Sequence, residues 1–288
     1  MGIFKKKEAE EQGGRQFRTA TASIKVMDYH SYHMSAREKA LYFLAAFAVG
    51  AVAGYVLFGG LGKDAYGYAT AATRVLDAVA MISVGGIFAA IFLPTMEKKL
   101  LAGQQSRLKH QFRDMLEAFS TSLGAGKNVT DAFISTYEDL KNQYDANSFI
   151  LREVMVINVG IANGMNVEDL LDDFGKRSGC RDIENFASVF RICSRLGGNI
   201  REAVKNTSGV ISEKMEIEED IETMVTGSKS ELLLMLVLPV GMVGLIKFGS
   251  PDFAANFAKP SGLAATFVGL SVTVAAFLIG RKILDIKV

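Results

Sequence analysis

A short phrase occurs three times in the middle of this chain and predicts three places where one helix ends and the next begins. The copies run Gly126–Ala132, Gly164–Leu170 and Gly197–Ala203, with the pattern Gly-x-Asn-[Val/Ile]-x-[Asp/Glu]-[Ala/Leu]. Glycine adopts the left-handed conformation that ends a helix. Asparagine two residues later is a good N-cap, and the acid three residues after it completes a capping-box-like pair. The residues that we assign as structural caps are Gly126, Asn128, Asp131, Gly164, Asn166, Asp169, Gly197, Asn199 and Glu202.

Helix ends at intervals of roughly 35 residues are typical of stacked helical hairpins. The segment 96–230 contains no proline, and its apolar residues recur at steps of three and four. We therefore predict six helices, at about 104–124, 128–143, 148–163, 166–177, 181–196 and 199–226. Short polar connections favour antiparallel neighbours in a bundle. The last helix points toward the next apolar run, and we expect Gly227-Ser228 to interrupt it before that run.

Four apolar runs, at about 40–59, 76–94, 232–248 and 262–280, are long enough to cross a membrane. A mean hydropathy of +0.22 with 22% charged residues indicates membrane spans combined with soluble sequence. None of the runs carries a charge near its centre, which argues against an ion or proton path. Roughly 40 mostly polar residues precede the first run, so we expect no cleaved signal peptide.

The basic residues predict the orientation of these spans. Lys98 and Lys99 follow the second run, and Arg281 and Lys282 follow the fourth, whereas the connections at about 60–75 and 249–261 carry few charges. Because Lys and Arg are enriched in cytoplasmic loops, both termini and the central segment are expected on the cytoplasmic side. The predicted fold is an all-α membrane protein, with four transmembrane helices flanking a cytoplasmic bundle of about six helices.

The expected organisation has five parts. They are a cytoplasmic N-terminal segment (1–38), transmembrane helices 1 and 2 (39–95), the cytoplasmic helical domain (96–230), transmembrane helices 3 and 4 (231–281) and a cytoplasmic tail (282–288). Within the first span, Gly50 and Gly54 form a GxxxG pattern. It predicts either close helix–helix approach or merely the usual abundance of glycine in membrane helices.

We expect no catalytic residue, cofactor or metal site. The segment Gly124–Thr130 superficially resembles a phosphate-binding loop, but it lacks the first glycine and the final Ser/Thr of that motif. Asp172, Asp173 and Asp182 with Glu184 suggest an acid pair or a cation site, although such residues more often mark solvated helix ends. A net charge of +1 provides no general attraction for nucleic acid.

A dense acidic stretch precedes the third apolar run and has two interpretations. Like charges three and four residues apart weaken a helix by a few tenths of a kcal/mol per pair, which favours a use for them. The stretch is therefore either an exposed helix face or a docking face for a basic partner. The candidate contact residues are Glu213, Glu216, Glu219, Asp220 and Glu222.

The order of motifs resembles the type II secretion system F-domain family, which comprises the inner-membrane platform proteins of type IV pilus-like machines. The segments that carry the resemblance are Phe112–Leu116 with Leu123–Gly126, then Asn163-Gly164, then Leu196–Ala203. The span arrangement, Asp28–Tyr32 and the ending Gly280–Val288 are most similar to the TadB-like branch of tight-adherence pilus systems. One departure concerns the branch, because Phe112-Arg113 stands where the family usually has Leu-Pro before the acid.

This resemblance implies a scaffold that hydrolyses nothing itself. A hexameric ATPase of the secretion superfamily would dock beneath it, and pilin subunits would be lifted from the bilayer into a filament. The implied partners also include a second platform protein or another copy of this chain. Two other classes remain as alternatives. A transporter permease subunit would usually need more spans or polar residues at the midplane, and an integral-membrane enzyme would need paired catalytic residues at the bilayer surface.

Overall fold

The computed structural model describes residues 17–19, 25–32, 34–60, 70–250, 254, 256–257 and 259–284. Within these residues the chain is all-helical apart from two short strands, as predicted. The strands β1 (Phe17–Thr19) and β2 (Lys25–Met27) form an antiparallel pair. The described part of the chain contains the helices α1 (Ala36–Phe58), α2 (Ala71–Gly124), α3 (Val129–Gln143), α4 (Phe149–Ala162), α5 (Val167–Ser178), α6 (Arg181–Leu196), α7 (Ile200–Gly249) and α8 (Pro260–Leu284).

The periodicity predicted the middle helices closely. The bounds of α3, α4, α5 and α6 differ from the predicted ones by no more than one residue at either end. The first predicted helix lies inside the longer α2, and the last begins one residue before the longer α7 and otherwise lies inside it. The interruption expected at Gly227-Ser228 is wrong, because α7 continues through both residues. A glycine inside a helix costs only about 1 kcal/mol relative to alanine, which the flanking turns can tolerate.

The chain divides into two compact units. The first, called here the bundle unit, contains residues 1–35 and 96–216, and the second, called the apolar unit, contains residues 36–95 and 217–288. Both α2 and α7 contain residues of the two units. The segment before α1 thus belongs to the same unit as the central helices, although the first two apolar helices separate them in sequence.

The bundle unit has a continuous apolar core. One face of α2 is buried along its whole length and consists of Leu108, Phe112, Met115, Phe119 and Leu123. Aromatic rings join this face to the other helices, since Phe112 lies 5.5 Å from Phe186 of α6 and Phe119 lies 4.3 Å from Phe133 of α3, measured between ring centroids. Full burial of one such side chain stabilises a fold by roughly 1.5–3 kcal/mol.

The apolar unit contains the four segments that are long and apolar enough to cross a membrane. They lie in α1, in α2, in α7 and in α8, with mean window hydropathies of 2.1 to 2.2. This finding rests on length and composition. Their large apolar side chains are mostly exposed, as Leu245 and Phe248 are at 77% and 73%. These features are those of membrane-embedded helices, whose apolar surface faces lipid or other helices.

The GxxxG pattern of α1 serves close helix packing within this unit. A Cβ atom added to Gly50 would lie 2.8 Å from Cβ of Phe88 and 2.9 Å from Cα of Gly85. One added to Gly54 would lie 3.0 Å from the carbonyl oxygen of Ala80. Both glycines therefore allow α1 to approach α2 more closely than any larger residue would.

Two charged side chains satisfy the polar groups at the C-terminal end of α1. The Lys247 ammonium donates hydrogen bonds to the carbonyl oxygens of Val56, Leu57 and Gly59 at 3.1, 3.2 and 2.9 Å. The N–H of Gly60 donates to the Asp77 carboxylate at 2.7 Å. The last carbonyls of a helix lack hydrogen-bond donors within that helix. Lys247 of α7 supplies the donors at this end of α1.

Candidate functional site

The three repeated phrases share one hydrogen-bonded turn. Gly126, Gly164 and Gly197 have positive φ angles of 90°, 79° and 71°. In each turn the N–H of the next residue donates to a carbonyl five residues earlier. These bonds join Lys127 to Ser122 at 3.3 Å, Met165 to Gly160 at 3.0 Å and Gly198 to Cys193 at 2.8 Å. This is the Schellman motif, which ends a helix with glycine in the left-handed region.

The three asparagines that follow begin helices in unequal ways. Asn128 accepts a hydrogen bond from the N–H of Asp131 at 2.8 Å, and Asn199 accepts one from the N–H of Glu202 at 3.2 Å. Asn166 occupies the N-cap position of α5, but its side chain accepts no hydrogen bond from the helix backbone. Its side-chain amide reaches only the Asp169 carboxylate, at 3.5 Å. Asn166 therefore lies at the N-cap position predicted for it, but without the side-chain capping bond found at Asn128 and Asn199.

Contacts between the helices show where these turns lie within the bundle. The Arg195 guanidinium near the end of α6 is 3.9 Å from the Asp169 carboxylate at the start of α5, which brings the second and third turns near each other. At the opposite ends of the hairpins, Tyr144 donates to Asp114 of α2, and the N–H of Ile150 donates to Gln111. Alternating helix directions thus place the three exposed turns at one end of the bundle.

A buried ion pair joins α4, α5 and the segment before α1. The Arg177 guanidinium donates to the two oxygens of Glu153 at 3.1 and 2.8 Å and to Asp173 at 2.7 Å. It also donates to the carbonyl oxygen of Met27 at 2.9 Å. The Arg177 and Glu153 side chains are 2% and 3% exposed. Such a pair is costly to desolvate and stable only when its remaining polar atoms are bonded, as they are here.

Tyr29 completes this network from the N-terminal segment. Its hydroxyl donates to Glu153 at 3.0 Å, its N–H donates to the carbonyl oxygen of Arg177 at 2.9 Å, and its ring meets Phe149 edge-on at 5.6 Å. Burial, followed by the Glu153 carboxylate, raises the pKa of Tyr29. Burial would lower the pKa of Arg177, but hydrogen bonds and charge from Glu153 and Asp173 outweigh it and raise that pKa. The phenol and guanidinium therefore remain protonated at ordinary pH.

Sequence reasoning did not anticipate this part of the bundle. The segment 1–38 was expected only as a cytoplasmic extension, yet Val26, Tyr29 and Met34 are buried at 5%, 0% and 2% exposure. Gln105 also donates to the carbonyl oxygen of Tyr29 at 3.1 Å. The available signal was Asp28–Tyr32, which carried a family resemblance but no periodic pattern. Residues 1–16 lie outside the described residues.

Three of the four acidic residues considered as a cation site, Asp172, Asp173 and Asp182, are paired with bases. Asp172 is 2.8 Å from Lys176 and 2.5 Å from Arg191. Asp182 is 3.1 Å from Lys109 of α2 and 2.8 Å from Lys214 of α7. Burial alone would raise the pKa of Asp182, but hydrogen bonds from Lys214 and Lys109 outweigh it and hold that pKa below its usual range. Asp182 therefore ties three helices together.

The acidic stretch lies on the continuous helix α7. All five proposed contact residues are exposed: Glu213, Glu216, Glu219, Asp220 and Glu222. Apolar side chains are exposed among them, since Ile217 and Met224 are 48% and 78% exposed. An exposed face with both acids and apolar residues is the kind of surface on which a protein partner can dock.

The described residues offer little support for a metal site or a phosphate-binding site. No group of three or more His, Cys, Asp or Glu side chains is arranged there to hold a metal ion. The phosphate-loop-like segment Gly124–Thr130 joins the end of α2 to the start of α3, whereas a phosphate loop follows a strand. No family model, no curated protein and no solved structure matches this chain.

Proposed function

We propose that this chain is the inner-membrane platform protein of a type IV pilus-like, tight-adherence secretion machine. In this role it is a scaffold that couples a cytoplasmic assembly ATPase to the extraction of pilins and the assembly of a filament. The observation that carries the proposal is the position of one helical bundle in the chain, between two pairs of apolar helices. The motif order given above adds to that support.

The proposed mechanism needs a bundle that holds its shape under load. Three features would serve this: an aromatic core, the buried Arg177–Glu153 pair, and the Asp182 contacts to α2 and α7. The ATPase would bind the bundle from the cytoplasm, and its conformational cycle would move the platform. A second platform protein or another copy of this chain would complete the assembly. Nucleic acid has no part in it.

The orientation can be tested with introduced cysteines. After Cys180 and Cys193 are replaced by serine, single cysteines would be introduced near Asp64, near Asp252 and at Asn147. Asn147 lies in the exposed α3–α4 connection, whereas Asp64 and Asp252 lie outside the described residues. An impermeant thiol reagent applied to intact cells should label the first two sites only. Labelling at Asn147 in intact cells would overturn the topology.

The ATPase contact can be tested by charge reversal on α7. The triple variant of Glu213, Glu216 and Asp220 to Lys should weaken co-purification of the ATPase and stop filament assembly, because charge complementarity governs encounter and register. Membrane insertion should be unaffected. The matched control reverses Glu138, Asp139 and Asp145, which are exposed acids on α3 and after it. Normal filaments from the first variant would remove the acidic stretch from the mechanism.

The platform assignment has its own test, which does not depend on that surface. The chain would be purified from its native membrane with its interacting proteins, and the partners would be identified. A hexameric secretion ATPase and pilins would support the proposal. Recovery of a substrate-binding protein instead would support the permease alternative.

A further inference from the structure

We propose that an open groove between α7 and α8 binds a phospholipid whose headgroup carries a phosphate followed by a primary ammonium, as in phosphatidylethanolamine. The groove has a volume of about 590 Å³, within the range of small-molecule sites. All of its lining residues belong to the apolar unit. The proposal rests on the membrane-type helices and does not depend on which machine the chain serves.

One face of each helix builds the groove. On α7 the lining residues recur at steps of three and four, from Glu218 through Glu222 and Lys229 to Leu232. On α8 the lining side chains are Phe277, Arg281 and Leu284. This spacing places each set on a single helix face.

The glycine at position 280 fixes the level at which the two helices meet. A Cβ atom on Gly280 would lie 2.5 Å from Cδ2 of Leu232, so the Leu232 side chain packs against the α8 backbone there. Arg281 follows this contact on α8, and Lys229 precedes it by less than one turn on α7. Both cations therefore stand at about the same height, at the end of the apolar runs.

The charges along the groove follow the order of charges in such a headgroup. Lys229 and Arg281 adjoin the apolar side chains, at the depth where basic residues meet lipid phosphates. Glu222 comes seven residues before Lys229, about 10 Å farther from the apolar run along α7. In phosphatidylethanolamine the phosphate is likewise next to the apolar part and the ammonium beyond it. The flexible Lys, Arg and Glu side chains can adjust to the shorter distance within the headgroup.

These three charges have no partner within the described part of the chain. Over the part of the chain that the structure describes, no side-chain hydrogen bond or ion pair is found for Glu222, Lys229 or Arg281. All three side chains are exposed at the groove. A ligand with one anionic and one cationic group would complement both ends at once.

The same charges disfavour the other occupants. An anionic lipid without an ammonium would meet the two cations but be repelled by Glu218 and Glu222. A trimethylated ammonium has no N–H group to donate, whereas a primary ammonium has three. A basic amphipathic protein helix would face Lys229 and Arg281. The groove therefore fits phosphatidylethanolamine better than phosphatidylglycerol, phosphatidylcholine or a basic helix.

The experiment uses the full chain in nanodiscs with equal amounts of phosphatidylethanolamine, phosphatidylcholine and phosphatidylglycerol. After release into mild detergent, native mass spectrometry would count the lipids that remain bound. We expect one retained phosphatidylethanolamine, enriched about tenfold over each of the others, as a charge-assisted hydrogen bond would give.

Two pairs of matched variants identify the site. Glu222→Gln should remove the preference for phosphatidylethanolamine over phosphatidylcholine, whereas Asp220→Asn, outside the lining, should keep it. Arg281→Gln should lower retention of all three lipids about tenfold. Lys282→Gln removes the same charge from the next position of α8, also outside the lining, and should not.

The outcomes decide the proposal either way. Equal retention of the three lipids would overturn it, as would a preference for phosphatidylglycerol that survives Glu222→Gln. A protein segment found cross-linked to the groove in place of lipid would overturn it as well. Loss of the preference with Glu222→Gln, together with its persistence in Asp220→Asn, would support it.

Discussion

The bundle unit and the apolar unit both consist of helices, but they treat their apolar side chains oppositely. In the bundle unit Phe112, Phe119 and Phe186 are at most 1% exposed. In the apolar unit only 6% of the hydrophobic window of α7 and of α8 is buried, with 33% for α1 and 11% for α2. The bundle unit buries these apolar side chains against its own residues. The apolar unit leaves its surface for lipid or for other chains to cover, and close packing is concentrated between α1 and α2.

The two units also treat buried or half-buried cations differently. Arg177 of the bundle unit is held by carboxylates, whereas Lys247 of the apolar unit is held by backbone carbonyls at the end of α1. The first arrangement is nearly closed to water, so removal of one partner leaves a charge stranded in the core. The second arrangement provides hydrogen-bond donors for the carbonyl groups at the end of a helix. We therefore expect substitutions at these two positions to lower the stability of the protein by different amounts.

The largest effect is expected from Arg177→Ala. It leaves the Glu153 carboxylate buried without its partner, which typically costs about 3–5 kcal/mol. Urea unfolding of the full chain in detergent, followed by circular dichroism, would measure the loss. Lys176→Ala is the control, because Lys176 pairs with Asp172 at the surface and is 65% exposed, where such pairs contribute about 0–1 kcal/mol. A loss below about 1 kcal/mol for Arg177→Ala would mean that water reaches the pair.

Lys247→Met should have an intermediate effect, confined to the apolar unit. It removes three charge-assisted hydrogen bonds from the end of α1, and bonds to charged groups contribute about 1.5–3 kcal/mol. Thermal unfolding in detergent would measure the change. Lys259→Met removes a lysine whose bond is to the Asn256 side chain, at 2.8 Å, and should change little. Equal effects of both substitutions would contradict the capping role of Lys247.

The repeated turns should give a graded series. Gly164→Val forces a β-branched residue to a φ of 79°, where a Cβ would meet no atom within 4 Å, so any loss reports backbone strain of about 1–3 kcal/mol. Gly164→Asn should cost less, because asparagine tolerates this conformation. Asn128→Ala should cost about 0.5–2 kcal/mol.

Within the same series, Asn166→Ala should fall at the low end of that range, because Asn166 makes no backbone capping bond. The free energy of unfolding of each variant would be compared under identical conditions. If Asn166→Ala costs as much as Asn128→Ala, the difference between the two turns has no energetic consequence. If none of these substitutions changes stability, the turns are better explained as a binding surface.

The smallest effect is expected for Asp182→Asn, and it should appear as a change in how stability depends on pH. The pKa of Asp182 is lower in the folded protein, so its contribution to stability is fully present above the unfolded value of about 3.9. That contribution is lost as the pH falls through the folded pKa. Asp182→Asn should therefore flatten the acid side of the stability profile, whereas the exposed control Asp139→Asn should not. An unchanged profile would show that Lys109 and Lys214 do not stabilise the ionised form.

Local signals explain what the sequence predicted well. Periodicity and the glycine–asparagine phrase act within a few residues of each other, so they located α3 to α6 closely. These local signals did not predict the contacts between residues that are far apart in the sequence. Tyr29 and Glu153 are 124 positions apart, and Met27 and Arg177 are 150 apart. No local pattern in the N-terminal segment indicated that it completes the core. The side-chain bond expected of Asn166 is absent for another reason. A residue can occupy the N-cap position of a helix without its side chain making the capping hydrogen bond.

The contacts of Tyr29 have a consequence for the order in which the protein is made. The ribosome synthesises this residue before any apolar helix, yet its partners on α4 and α5 emerge more than a hundred residues later. Closing such a long loop carries an entropic cost that only the finished bundle can offset. Insertion of α1 and the first half of α2 can therefore precede completion of the bundle core. A fragment that starts at Met96 would lack the residue that closes it.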